Sequence, residues 1–440
     1  MRWLRWLAFP MLSRLDLRGG DADPRRVLAG PLEGDDAEAL ASVRTIIADV
    51  RDRGDAALRD LTERFDGVVV DDLAVPPVEV AAALDAVPAD FRTALEYAAG
   101  EIRAYHEAQR GEELRLVRDG VELRELAVPV DRAGLYVPGG RAAYPSTVLM
   151  TAIPARIAGV GELALCVPPG ADGRVPTATL AAAALAGVDE VFRVGGAQAI
   201  AALAYGTGTI RPVDVIVGPG NRYVALAKRE VAGVVGIESN AGPSEVVVVA
   251  DASVPAQLVA ADLIAQAEHG PDGTAVLVTW DDAVADAVDR AVDELVATST
   301  RRDEIDGNLA TGGRIVLVAD ADAAIDVANV IAPEHLELLT GDPERLLGRV
   351  RNAGAVFSGP WSPAAVGDYV AGVNHVLPTG RSARFASALR VDTFRKHVHV
   401  VRLDEGALAR VAPYVEAIAA MEGLDAHAQS VTLRGARSTA

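Results

Sequence analysis

From residue 133 onward the chain repeats one rhythm: a short apolar run, a glycine turn, then an alanine-rich stretch with helical spacing. The apolar runs are Ala133–Val137, Leu163–Val167, Glu190–Val194 and Val213–Val217, then Glu245–Ala250, Thr274–Thr279, Arg314–Val318, Leu336–Leu339 and Ala355–Phe357. Short valine-rich runs of this kind read as strands buried on both faces, the pattern of parallel sheets covered by helices. The alternation of strand and helix predicts the α/β class. The second series begins at Glu245, so two incomplete Rossmann-like parallel-sheet units are expected, over 133–243 and 244–385.

Ahead of these units, residues 36–110 read as helical. Ala41, Val43, Ile46, Ile47 and Val50 recur at helical spacing, Gly54 and Gly67 punctuate, and Pro88 opens a helix through about Gln109. Residues 113–130 alternate as a hairpin turning at Asp119-Gly120. The expected organisation is an N-terminal segment (1–32), a helical region and hairpin joined to the second unit (33–132), the two units, and a mostly polar, helical tail (386–440).

Composition narrows the function classes. A chain of 440 residues that is 50% hydrophobic and 24% charged is globular. A net charge of -20 argues against nucleic acid as a partner, because phosphate binding needs a basic face. The single cysteine, Cys166, sits in an apolar strand-like run, where a thiol is inert, and no internal disulfide can form. Residues 1–10 are basic and apolar, but the run is too short for a signal peptide and carries Arg5. They read as an added leader, with Met11 as the alternative start. No run has the length of a transmembrane helix. A cytoplasmic protein with a small-molecule substrate, no nucleic acid and no membrane is expected.

Three glycine turns stand where strands hand over to helices: Tyr136-Val137-Pro138-Gly139-Gly140, Gly195-Gly196-Ala197-Gln198 and Gly218-Pro219-Gly220-Asn221. The last two open helices, so their backbone N–H groups can hold a pyrophosphate. Ordinary α/β turns use glycine too, and no Gly-x-Gly-x-x-Gly follows a strand. In Gln266-Ala267-Glu268-His269-Gly270-Pro271, Gln266 and His269 share a helix face. An amide oxygen and an imidazole there can ligate a divalent cation; a histidine at a helix C-terminus can equally serve the helix dipole. Glu334-His335 places a carboxylate beside an imidazole at a sheet edge, which suits proton transfer and also reads as a helix stop. Asp368 offers a hard oxygen ligand in a glycine-flanked turn, and His375 a second polar group nearby. Glu422 and His427, taken alone, read as a solvated helix end.

Taken in order, these segments together with Ala241-Gly242-Pro243-Ser244-Glu245, Pro333-Glu334-His335-Leu336, Gly367-Asp368-Tyr369 and Asn374-His375-Val376-Leu377-Pro378-Thr379 resemble the histidinol dehydrogenase family, from about Leu15 to Leu433. The resemblance implies an enzyme that oxidises L-histidinol through L-histidinaldehyde to L-histidine with two NAD, the last step of histidine biosynthesis. It implies Gln266, His269, Asp368 and His427 as ligands of one Zn2+ per subunit, all four also facing the substrate. Glu334 and His335 are the implied acid–base pair, and Ser244, His335, His375 and Glu422 the implied substrate-binding residues. Tyr136, Gln198 and Asn221 match the positions that contact NAD. A homodimer with exchanged tails is implied as well.

Two segments depart from the family pattern. Ile237-Glu238-Ser239-Asn240-Ala241-Gly242 has Glu where Asp is expected, and Ser387-Ala388-Leu389-Arg390-Val391 replaces a Ser-Ser-Gly-Leu-Ser run. They leave open a paralogue acting on another polar alcohol, such as a sulfonated diol. A non-catalytic binding protein on the same fold is a different class of reading, disfavoured by the intact acid–base and ligand set.

Overall fold

Each run read as a strand forms one, with ends shifted by at most two residues. The computed structural model describes residues 12–19, 36–111, 113–139, 143–239, 244–268, 270 and 273–435. Its strands in chain order are β1 (Ser13–Asp16), β2 (Leu114–Arg118), β3 (Val121–Pro129), β4 (Arg132–Tyr136), β5 (Glu162–Cys166), β6 (Glu190–Phe192), β7 (Val215–Val217), β8 (Gly236–Ile237), β9 (Glu245–Ala250), β10 (Thr274–Thr279), β11 (Gly313–Leu317), β12 (His335–Leu339), β13 (Ala355–Ser358) and β14 (Arg395–Leu403).

The smaller parallel sheet runs β6-β5-β4-β7-β8 and the larger β1-β11-β10-β9-β12-β13. In both, the first strand of the unit lies in the middle and the order reverses beside it, between β4 and β7 and between β9 and β12. That reversal is the switch point of a doubly wound sheet. Burial on both faces explains the apolar runs. In β9, Val246 and Val248 pack with Val259 and Leu263 of the helix Ala256–Ala267, while Val247 and Val249 pack with Ala324, Ile325 and Ala328 of the helix Ala321–Ile331.

One expectation needs correction, and two segments hold a strand that was not expected of them. The helical region 33–132 joins the first unit, not the second. Val43, Ile47 and Val50 pack with Ile200, Leu203 and Val224, and Leu95, Ala98 and Ile102 pack with Leu149, Ile153 and Leu180, all on the smaller sheet. An apolar stripe shows that a helix must bury a face; it does not say against which sheet. Within 1–32, β1 is an edge strand of the larger sheet, pairing with β11 from Ser13↔Arg314 to Asp16↔Leu317, and Leu12 is buried beside it. The tail is not only helical, because β14 pairs antiparallel with β3, which forms the expected hairpin with β2. The charges along Arg395-Lys396-His397 hid that strand; across the pair, His397 Nδ1 lies 2.9 Å from Glu125 Oε1. In the hairpin turn, Asp119 (φ 50) and Gly120 (φ 74) are both left-handed, as a two-residue turn between twisted strands requires.

Beyond β14, the helices Glu405–Glu422 and Asp425–Gly435 pack mainly on each other. Among the described residues no helix is long and apolar enough to cross a membrane.

Candidate active site at the amino edge of the larger sheet

Ser244 leads into β9 and Glu334 into β12, so two neighbouring strands bring these residues together at the switch point. Local backbone fixes Glu334. The helix Ala321–Ile331 ends at Ala332 in a left-handed conformation (φ 52), and the turn then pairs with β13: Gly354 N donates to Pro333 O at 2.9 Å and Ala355 N to Glu334 O at 2.9 Å. Gly354 must be glycine there, since a Cβ would lie 2.6 Å from Glu334 O.

Glu334 Oε2 accepts from Ser244 Oγ at 2.5 Å and from Glu245 N at 3.1 Å. His335 Nδ1 lies 3.3 Å from Glu245 O and 3.7 Å from Glu334 Oε2, and its Nε2 lies 3.6 Å from Asp368 Oδ1. With Nδ1–H donating to the Glu245 carbonyl, Nε2 is the nitrogen that can accept a proton. Burial lowers the His335 pKa, but the carboxylates of Glu334 and Asp368 outweigh it and raise it to about 9. Glu245, absent from the expected site, is buried beside Glu334; burial and that neighbouring charge push it up to about 7, while Gly380 N donates to it.

Two helices supply the expected ligands. Gln266 closes the helix Ala256–Ala267, and its Oε1 lies 3.2 Å from Ser244 Oγ. Asp368 lies on the helix Ala364–Tyr369, which approaches closely because Gly367 lets Phe357 sit where a Cβ would be 2.4 Å from its ring. The carbonyl of Asp368 accepts from His375 Nδ1 at 2.8 Å, and Thr147 Oγ1 lies 3.2 Å from His375 Nε2. Burial lowers the pKa of that ring. Thr147 belongs to the helix Pro145–Ala158, which follows β4, so the carboxyl end of the smaller sheet meets the amino edge of the larger one at His375.

Gln266 Nε2 and His335 Nε2 are buried without a hydrogen-bond partner among the described residues. An orphaned buried polar atom calls for a partner, which an ion, a water or a bound ligand can supply. Turning the Gln266 amide over would present its oxygen there. His269 lies outside the described residues, but the turn after it is anchored: Asn308 Nδ2, buried on the helix Arg302–Gly312, donates to Gly270 O and to Gly273 O, the latter at 3.1 Å. Sequence reading missed Asn308, since an asparagine inside a helix carries no motif. Among the described residues no three His, Cys, Asp or Glu side chains gather closely enough to hold a metal. Glu422 and His427 are exposed on the tail helices, and no hydrogen bond or ion pair among the described residues links them to the Glu334–His335 group.

At the smaller sheet, Tyr136 ends β4 and its hydroxyl accepts from Gly196 N at 3.1 Å. Gln198 is buried just inside the helix Gly196–Tyr205, with Oε1 unpartnered among the described residues. Asn221 caps the helix Arg222–Val231, its Oδ1 accepting from Tyr223 N and Val224 N at 3.0 and 3.1 Å. The turn before it is held by a buried ion pair that sequence reading also missed. Lys228 Nζ donates to Glu238 Oε1 at 2.6 Å and to Gly218 O at 3.1 Å, while Gly218 N donates to Glu238 Oε1 at 2.8 Å. Cys166 is buried and its thiol is pushed up to about 12 by burial, as an inert core cysteine should be.

Glycine turns at the carboxyl ends of one doubly wound sheet, together with a buried acid–imidazole pair on the next, are the parts of an α/β oxidoreductase of the nucleotide-dependent kind. The family model for histidinol dehydrogenase matches residues 32–435. Histidinol dehydrogenase from Parasynechococcus marenigrum (strain WH8102) is 48% identical over 431 residues, covering 98% of this chain and 99% of that protein. The one from Geobacillus kaustophilus (strain HTA426) is 49% identical over 419 residues, covering 95% and 98%. The crystal structure of histidinol dehydrogenase from Elizabethkingia anophelis superposes with a TM-score of 0.94 at 32% identity, covering 98% of this chain and 100% of that one. The chain belongs to the histidinol dehydrogenase family.

Proposed function

We propose that the chain oxidises L-histidinol to L-histidine in two NAD-dependent steps, closing histidine biosynthesis in the cytoplasm. The observation that carries this reading is the buried Glu334–His335 pair, set beside two buried atoms without a partner among the described residues, Gln266 Nε2 and His335 Nε2. In the first step His335, in its deprotonated form, takes the hydroxyl proton of the substrate at Nε2 as the carbinol carbon gives a hydride to NAD; with its pKa raised to about 9, that form gains as the pH rises. In the second, Glu334 takes a proton from the water that adds to the aldehyde, and the hydrate gives a second hydride to a second NAD. Ser244 and the Glu245 N–H hold the Glu334 carboxylate in place for this. His375, fixed between Thr147 and Asp368, orients the substrate from the side of the smaller sheet, where Tyr136, Gln198 and Asn221 would face NAD.

Gln266, His269, Asp368 and His427 would hold one zinc ion, borderline and hard N/O donors that need no thiolate. Bound there, zinc supplies a positive charge that anchors the imidazole and amine of the substrate and offsets the Asp368 charge beside His335. His427 and Glu422 reach the site from the tail of a partner subunit. In support, Tyr414, Ile418 and Met421 form a helical apolar stripe that is 70%, 61% and 90% exposed within one chain, as a segment built to dock elsewhere would be.

The test is stoichiometric. Purified protein with L-histidinol and excess NAD should yield two NADH per histidinol with little free aldehyde. One NADH per alcohol, with aldehyde accumulating, refutes the two-step reading.

A further inference from the structure

We propose that Glu337 is a positioning residue whose carboxyl, sharing one proton with that of Asp262, ties the helix carrying Gln266 to the helix carrying Asp368. The proposal rests on the ligand roles given above. Glu337 lies in the middle of β12, fully buried, between Val248 on β9 and Phe357 on β13. Central strands of parallel sheets take Val, Ile or Leu at such positions, and a lone buried carboxylate is costly. Glu337 Oε1 accepts from Ala364 N at 2.8 Å, the first residue of the helix Ala364–Tyr369. Its other oxygen, Oε2, is buried without a partner among the described residues, and the carboxyl of Asp262, on the helix Ala256–Ala267, is the group beside it that a shared proton could join. Two carboxyl groups can bond only if one is protonated.

Burial and the Asp262 charge push Glu337 up to about 8; burial raises Asp262 as well, and a proton shared by Glu337 lowers it. At neutral pH Glu337 therefore holds the proton and donates it to Asp262 while accepting from Ala364. The groups facing it are Asp262 and, from its own strand, His335; Val248, Phe357 and the Ala364 backbone bring no charge. The placement is symmetric. Asp262 lies four residues before Gln266, and Ala364 four residues before Asp368, one helical turn in each case. His335 lies two residues before Glu337 on the same face of β12. A single side chain thus fixes both helices one turn below the atoms that would hold the metal.

The test compares zinc affinity, by chelator competition, with amide exchange over residues 364–369, in the whole purified protein. Glu337→Gln keeps both hydrogen bonds without a titrating proton and should bind zinc as the wild type does at pH 7. Glu337→Leu removes both and should weaken zinc roughly 10–100-fold, the usual loss when support behind a ligand is removed, with faster exchange. Ala364→Pro deletes only the donor to Glu337. Proline suits a first helical position after the extended Pro363 (ψ 152), so this variant should fold and show the same loss. Raising the pH from 7 to 9.5 should weaken the wild type relative to Glu337→Gln by about tenfold, as the shared proton leaves near pH 8. Wild-type affinity in Glu337→Leu or Ala364→Pro, equal defects in the Gln and Leu variants, or a flat ratio across that pH range each overturns the proposal. If the wild type holds no zinc, the metal reading fails, and amide exchange alone then decides the clamp.

Discussion

Lys228→Met should destabilise the chain out of proportion to the atoms removed. Lys228 is one of only two lysines among the 440 residues, yet it is spent in the core. Its side chain is 1% exposed and that of Glu238 3%. At 2.6 Å the gross attraction is roughly 6 kcal/mol at an effective dielectric of about 20, and desolvation offsets most of it. Removing the ammonium alone leaves the buried Glu238 without its counter-charge and held, among the described residues, by Gly218 N alone, at a cost of about 3–5 kcal/mol. Adding Glu238→Gln removes the orphan charge while keeping an acceptor for Gly218 N. The double variant should recover to within about 1–3 kcal/mol of wild type, the remaining cost being the Gly218 carbonyl without a donor. Functionally, both groups clamp the two backbone polar atoms of Gly218 (φ 120), where a Cβ would lie 1.9 Å from Tyr136 O, so the turn has no slack. KM for NAD should rise in the single variant more than in the double. Urea unfolding midpoints at constant m, with initial rates against NAD, decide it. A loss under about 1 kcal/mol for Lys228→Met, or a double variant as unstable as the single one, refutes the reasoning.

Glu334→Gln keeps the shape and the Ser244 contact but cannot take a proton from water; single-turnover rates should fall roughly 10²–10⁴-fold for L-histidinaldehyde and far less for L-histidinol. His106 is buried with Nδ1 donating to Ile102 O at 2.7 Å and Nε2 accepting from Asn374 at 3.3 Å, and burial lowers its pKa from the usual 6.5. The unfolded chain then takes the proton first, so stability is present above pH 6.5 and is lost as the pH falls below it, by up to about 1.4 kcal/mol per unit. Urea midpoints at pH 7.5 and 5.5 should differ less in His106→Gln than in wild type. Glu334→Ala and His427→Ala proteins should each be nearly inactive. Unfolded together and refolded, they should regain about a quarter of wild-type activity if tails are exchanged; heterodimers proved by mass spectrometry yet inactive would place the whole site within one chain.

What the sequence made legible was local. A run such as Val246-Val247-Val248-Val249 reads as a strand buried on both faces, and Glu334-His335 offered a proton-transfer pair that only the family resemblance preferred to a helix stop. What stayed hidden depends on pairing between distant segments. Nothing in Ser13–Asp16 names β11 as its partner, three hundred residues away in the register from Ser13 to Arg314. Nothing in the apolar stripe of the helix Asp36–Arg53 chooses the smaller sheet over the larger. Asn221 shows how one residue can carry both a structural and a functional reading. Its Oδ1 caps a helix, which a cap-based argument predicts, while a role toward NAD was suggested only by the family resemblance.

The site itself breaks the rule that would have been used to find it. In doubly wound sheets ligands sit beyond the carboxyl ends of the strands at the switch point. In the smaller sheet the glycine turns stand where that rule would place a ligand: Tyr136 ends β4, and Gly195-Gly196 and Gly218 follow β6 and β7. The larger sheet has the same strand order and the same switch point, yet Ser244 and Glu334 precede β9 and β12, at the amino edge. Two units with one topology therefore meet head to tail across His375, with Thr147 on one side and Asp368 on the other. A nucleotide at the carboxyl end of the first can then face acid–base groups at the amino edge of the second without either sheet having to carry both. That division explains why the chemistry-bearing residues of the second unit lie on strand starts and helix ends. Positions of that kind have to be held from behind, and there Asn308 donates to Gly270 O and Gly273 O while the buried Glu337 accepts from Ala364 N.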